Sequence, residues 1–249
     1  MPDDPFAAAA RLEGVPSAFA ATRDGIDSVL RDRGLRRSSP ASTTESLLLG
    51  AAATAALHGS AYDVDELRRG GGDVTARAAV RLSSELLGLA PVWVRSPLQV
   101  LARIHTLAAS AAVPSDELGR PVDPVGAQRL TALAARLALP TQAPGLVVAA
   151  LVHAEVAAAG AFVAANDVVA RAAERLVLVV TGVDPAGVTV PEAGHAARPQ
   201  AYRQALDGYA SGGEDGAHRW LLYAAQAFAL GAEATPLAPP AHRRAAPPA

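Results

Sequence analysis

Three polar residues in the stretch GAFVAANDVVARAAERL, residues 160–176, have types and spacing suited to chemistry: Asn166, Asp167 and Arg171. The stretch reads as a loop opening into a helix, whose first turn presents unpaired N–H groups and the positive end of the helix dipole. An arginine one turn further on brings a guanidinium to the same end, a group suited to phosphate or another anion. A plainer reading exists for each residue. Asn and Asp are the usual caps of any helix start. Arg171 with Glu174 and Arg175 reads as a mixed charged outer face, and Phe162 as a core anchor.

The other reactive side chains form no local signature. His105 and His153 fall at interior-looking positions of apolar helices and are expected to be hydrogen-bonded core histidines. His153 precedes Gly160 by two helical turns, ~10 Å along an axis, too far to act at the loop. His195, His218 and His242 have no partner at metal-ligand spacing, and no metal site is expected. Glu192 and His195 close a Pro/Gly-punctuated connector that assigns them no reaction, while Trp93, Trp220, Tyr209 and Tyr223 read as packing residues. Without cysteine, disulfides, thiolate metal sites and Cys nucleophiles are excluded. All basic residues are Arg, so lysine Schiff bases and P-loop lysines are excluded too. RGGGD lacks the strand that a nucleotide-binding glycine loop requires.

The elements that must position these residues are helical. Period-3.6 patterning dominates the 249 residues, and the expectation is an all-α fold, a single compact bundle of about eight helices with the 160–176 stretch at its centre. STTESLLLGAAATAALHG carries a Ser/Thr start and stops at Gly59; Ser96-Pro97 and Asp123-Pro124 mark two further starts. Three regions are expected: a partly helical N-terminal segment 1–40, a helical domain 41–235, and a Pro/Ala-rich disordered tail 236–249. Gly145–Ala165 is nearly long enough to span a bilayer, but His153 and Glu155 near its middle favour a buried central helix. A formal charge of −2 with dispersed arginines argues against nucleic-acid binding, and no secretory leader is evident, so a cytoplasmic, non-membrane protein is expected.

Against this background, GAFVAANDVVAR resembles the HxFx(D/E)GN(G/K)RxxR signature of Fic (Fido) domains, keeping Phe162, Asn166 and Arg171. LARIHTLAA and AALVHAEVAAAGAF are similar to the helices that precede the motif in that family. TAALHG, Thr54–Gly59, resembles its inhibitory helix, (S/T)xxxE(G/N). The resemblance spans about residues 42 to 234.

What the resemblance implies is then altered by its departures. The family's general base is replaced by Gly160 and its Mg²⁺-holding acid by Ala164. Its phosphate-cradling glycines are replaced by Ala165 and Asp167, and its first arginine by Val168. Asp167 sets a negative charge beside the would-be anion nest. The inhibitory glutamate, which pairs with the second motif arginine, is replaced by His58: a neutral imidazole makes no such ion pair and a protonated one repels Arg171. The resemblance therefore implies a regulatory or binding pseudoenzyme using the old nucleotide cleft. No catalytic residue is expected; Asn166, Asp167 and Arg171 are the candidate ligand contacts, and Thr54, His58 and Gly59 the degenerate inhibitory helix. ATP or another nucleotide is the ligand to test, Mg²⁺ is not expected, and a protein partner or a second copy is the partner to test. The alternatives are an active AMP-transferase, or another enzyme, with an unrecognised base, and a ligand-free helical interaction module.

Overall fold

The computed structural model describes residues 4–31 and 35–237; the tail from residue 238 lies outside them, as do the side chains of Pro5 and residues 32–39. Among the described residues there is no strand, and the helices run α1 (Pro5–Ala10), α2 (Val15–Leu30), α3 (Leu35–Leu57), α4 (Val64–Arg68), α5 (Val74–Leu86), α6 (Ala90–Trp93), α7 (Pro97–Ala109), α8 (Pro124–Leu137), α9 (Gly145–Ala159), α10 (Asn166–Val180), α11 (Pro191–Ala196), α12 (Pro199–Ala210) and α13 (Glu214–Glu233). The all-α expectation holds, and the helices beyond the expected eight are mostly pieces of one or two turns, which carry too little periodicity to read. No helix of the described residues is long and apolar enough to cross a membrane.

Proline and aspartate set several starts. Pro124 occupies the first turn of α8 while the Asp123 carboxylate accepts from the Gly126 N–H at 2.6 Å. Pro97 opens α7, but Ser96 makes no capping bond. The start expected at Ser42 is corrected: α3 begins at Leu35 and runs through Pro40. The hydroxyls that read as caps bond elsewhere, Thr44 back to the Pro40 carbonyl at 3.0 Å and Thr43 across to the Ala186 carbonyl at 2.7 Å.

At the centre lies α9, apolar on every face and buried nearly throughout. It packs along α10 and is flanked by α8, α12 and α13, while α3 lies against α5 and α11. Alanines at positions 149, 150 and 154, all without exposure, let these neighbours approach, and the Trp220 indole N–H donates to the Ala150 carbonyl at 2.7 Å. The N-terminal segment holds two helices, and Phe6, Val15, Phe19 and Ile26 belong to the same core.

Candidate functional site

The loop between α9 and α10 is fixed by its own residues. Gly160 ends α9 at φ 54°, and Ala165 takes φ 57°, the single non-glycine with positive φ among the described residues. Asn166 does not cap α10. Its side-chain oxygen accepts from the Phe162 N–H at 3.0 Å and its NH₂ donates to the Phe162 carbonyl at 2.8 Å, clamping the loop. Phe162 is buried and lies flat on His105, with centroids 4.4 Å apart. His105 Nδ1 accepts from the Gly119 N–H at 2.9 Å, and burial pushes its pKa down, so it packs as a neutral ring.

One turn into α10, Arg171 is 1% exposed, which overturns its reading as part of an outer face. Its Nη1 donates to Asp167 Oδ2 and to the Tyr202 hydroxyl, both at 3.1 Å, and its Nη2 lies 3.0 Å from His58 Nε2. His58 also sits 3.0 Å from Asp167 Oδ2. One ring nitrogen cannot serve both neighbours at once: as a neutral acceptor it takes the guanidinium, and as an N–H it donates to the carboxylate. In either state the His58 ring ties α3 to this end of α10, by a hydrogen bond to Arg171 or to Asp167. His58 is held there by the end of α3, where Gly59 at φ 80° lets the Ser60 N–H reach back to the Ala55 carbonyl at 2.9 Å. Thr54, one turn earlier on the same helix, is buried facing the loop.

Behind Arg171 lies a second polar cluster. Tyr202 bridges to His153 Nε2 at 2.9 Å, and the Glu174 carboxylate lies between His153 and His195, 2.9 Å from a nitrogen of each. Burial pushes the Tyr202 hydroxyl up to about 12, so it remains a neutral link. Arg175, 2% exposed, lies 3.0 Å from both Glu192 oxygens and donates to the Thr189 carbonyl at 2.7 Å. All three charged residues of the expected outer face are therefore inside.

Two cavities adjoin α10. The one at the motif loop is small, ≈ 170 Å³, and its wall is formed by Thr54, His58, Ala78, Ala164, Ala165 and Val168 among others. The larger, ≈ 840 Å³, lies at the far end of α10, between Trp93, Leu137, Val148 and Val180. Val168 lines the first and Val177 the second, nine residues or ~14 Å apart along α10.

No family model and no curated protein matches the sequence. Among solved structures, a Fic family protein from Desulfovibrio desulfuricans G20 matches with a TM-score of 0.72 at 16% identity, covering 87% of this chain and 73% of that one. A second is Fic-1 from C. elegans, with a TM-score of 0.54 at 17% identity, covering 82% of this chain and 70% of that one. The chain has a Fic fold. Within this fold the residues singled out from the motif resemblance stand together: Phe162, Asn166, Asp167 and Arg171 frame one loop and the helix after it, and Thr54–Gly59 abuts them. Asn166, however, turns its amide to the loop backbone and not into the cavity.

Sequence reasoning missed the partners of the Fic-fold centre. Tyr202, Glu192 and His195 carry no local signal, because α11 and α12 bring them onto α10 only by folding back across it. The one available signal was the pair of buried-looking histidines, which need partners of some kind. Metal-ligand spacing is a local pattern, whereas His153, Glu174 and His195 come together from three helices.

Proposed function

We propose that this Fic-fold chain does not transfer AMP and works as a binding protein at the motif end of the fold. The observation that carries this reading is the state of Arg171, shielded from water with its terminal nitrogens facing Asp167, Tyr202 and His58. A phosphate seeking that guanidinium would have to displace His58 and outcompete Asp167. The adjoining cavity of ≈ 170 Å³ falls below the ~300 Å³ at which small-molecule sites begin. Asp167 fills the first turn of α10, where the helix dipole would otherwise receive a phosphate. Gly160 and Ala164, at the positions the resemblance assigns to base and metal ligand, have no side-chain proton acceptor and no side-chain oxygen. Loss of the base alone removes ~10²–10⁴ in rate. Val74 and Val163, about half exposed beside this end, offer apolar contact to a protein partner or a second copy.

Calorimetric titration with ATP and ADP, with and without Mg²⁺, is expected to give no heat, and incubation with labelled ATP and lysate no labelled protein. Labelling that vanishes in Arg171→Ala would overturn the proposal in favour of an enzyme. Nucleotide binding without labelling would keep the non-catalytic reading and return the cleft to nucleotide use. A restored chain carrying Gly160→His, Ala164→Asp, Ala165→Gly, Asp167→Gly and His58→Ala is expected to gain ATP binding. A Cβ at 160 meets nothing within 4 Å, so the cost of Gly160→His is that of the left-handed backbone at φ 54°, roughly 1–2 kcal/mol.

A further inference from the structure

His153 on α9, Glu174 on α10 and His195 on α11 meet where none of the three has any solvent exposure. Glu174 Oε1 lies 2.9 Å from His153 Nδ1, and Oε2 lies 2.9 Å from His195 Nε2. One ligand atom from each residue falls within 4.8 Å of the others. The contact to His195 has hydrogen-bond geometry. The contact to His153 is poorly aligned for a hydrogen bond, although Nδ1 and Oε1 are buried and only 2.9 Å apart. A cation bound to both atoms takes their lone pairs without requiring an aligned N–H between them. The far ring nitrogens face tyrosine hydroxyls, His153 Nε2 with Tyr202 at 2.9 Å and His195 Nδ1 with Tyr223 at 3.1 Å. Outer partners of this kind fix the ring orientation of metal-ligating histidines.

We propose that His153, Glu174 and His195 hold a single divalent transition-metal ion, with Zn²⁺ the ion this donor set fits best. Two imidazoles and one carboxylate are the His₂Glu set that zinc takes from three protein ligands, and the second carboxylate oxygen lies at hand for the fourth position. The nitrogens disfavour Ca²⁺ and Mg²⁺, which take oxygen ligands, and the lack of thiolate disfavours Cu(I). Trp220 packs against both imidazoles, with centroids 5.0 Å from His153 and 6.2 Å from His195, so the ion is shut from solvent and cross-links α9, α10 and α11. This inference is independent of what the motif loop does. Its rival is a metal-free carboxylate held between two imidazoles.

The test uses the full chain without a histidine tag, stripped with chelator and titrated with Co²⁺ and Zn²⁺. One equivalent of each ion is expected, with visible Co²⁺ absorption bands and an unfolding midpoint that rises with Zn²⁺. Glu174→Gln, which keeps the shape, is expected to abolish the Co²⁺ bands. If that variant does not fold, Tyr223→Phe, which keeps all three ligands, is expected to bind about ten-fold more weakly. The double variant His218→Ala/His242→Ala is expected to bind like the parent. The proposal is overturned if the parent takes up neither ion at micromolar concentrations, if folded Glu174→Gln binds equally, if Tyr223→Phe binds as tightly as the parent, or if uptake disappears in the double variant.

Discussion

Asp167 is the residue through which the motif end responds to acid. Burial pushes its carboxyl up, but the His58 hydrogen bond and the nearby Arg171 guanidinium outweigh that and hold it well below its ordinary value of 3.8. A carboxyl whose folded pKa is depressed stabilises the fold above its unfolded pKa, and that stability is lost as pH falls through the folded one. Asp167→Asn should therefore flatten the decline in stability below about pH 4, seen as a smaller drop in urea midpoint between about pH 6 and about pH 3 than in the parent. Because the side chain is 39% exposed, the cost at neutral pH should stay below about 1 kcal/mol. An unchanged acid limb would mean that Asp167 makes no ion pair in solution. The same turn of helix shows where residue-level reading of the sequence stops. Arg171, Glu174 and Arg175 follow the spacing of a solvated face, and they are buried because Tyr202, His195 and Glu192 arrive from other helices to match each charge. Local periodicity contains no information about those arrivals. Only the motif resemblance set Arg171 apart, and it did so without indicating burial.

Two backbone features carry the helices to these positions. Ala165 holds the left-handed conformation at the head of α10, a state that costs an L-residue roughly 1–2 kcal/mol and costs glycine little. Ala165→Gly should accordingly stabilise the protein, by up to about 1 kcal/mol once the greater freedom of glycine in the unfolded chain is subtracted. A lower chemical-denaturation midpoint for that variant would show that the loop relaxes from this conformation. Gly194 acts in the opposite sense. A Cβ there would lie 1.9 Å from the Ala227 carbonyl oxygen, so α11 can rest on α13 only with glycine at the crossing. Gly194→Ala should cost about 1–3 kcal/mol, as overpacking does, and should shift His195, next in the chain, away from Glu174. Thermal unfolding reads the first effect, and the His195 ring resonances in a proton NMR spectrum read the second. Helix starts of the Asp-Pro kind were legible because cap and proline act within one turn. The start of α3 was not, since Thr43 and Thr44 use their hydroxyls on carbonyls, one of them in a distant loop.

At the scale of the whole molecule, the N-terminal helices are part of the core and not an attachment to it. The segment up to residue 40 reads as only partly helical because α1 and α2 have few large apolar residues, most of which face the core. Phe6, Val15, Phe19 and Ile26 are buried, and Phe19 meets Phe228 of α13 edge-on at 6.4 Å. The Thr22 hydroxyl donates to the Ala225 carbonyl at 2.9 Å, while the Asp4 carboxylate accepts from the Gln142 N–H at 2.9 Å. Deleting residues 1–31 would strip four large apolar side chains from α9 and α13, a loss on the order of 6 kcal/mol or more at about 1.5–3 kcal/mol each. That is comparable with the whole stability of an ordinary domain, about 5–15 kcal/mol. The truncated chain should retain helical circular dichroism but lose a cooperative thermal transition, and it should bind a hydrophobic dye that the full chain does not. The alternative is an independent helical domain beginning near residue 41. It requires the truncated chain to unfold in one sharp step at nearly the parent midpoint, whereas Phe6 and Phe19 share one core with α9 and α13, and their loss is expected to prevent that.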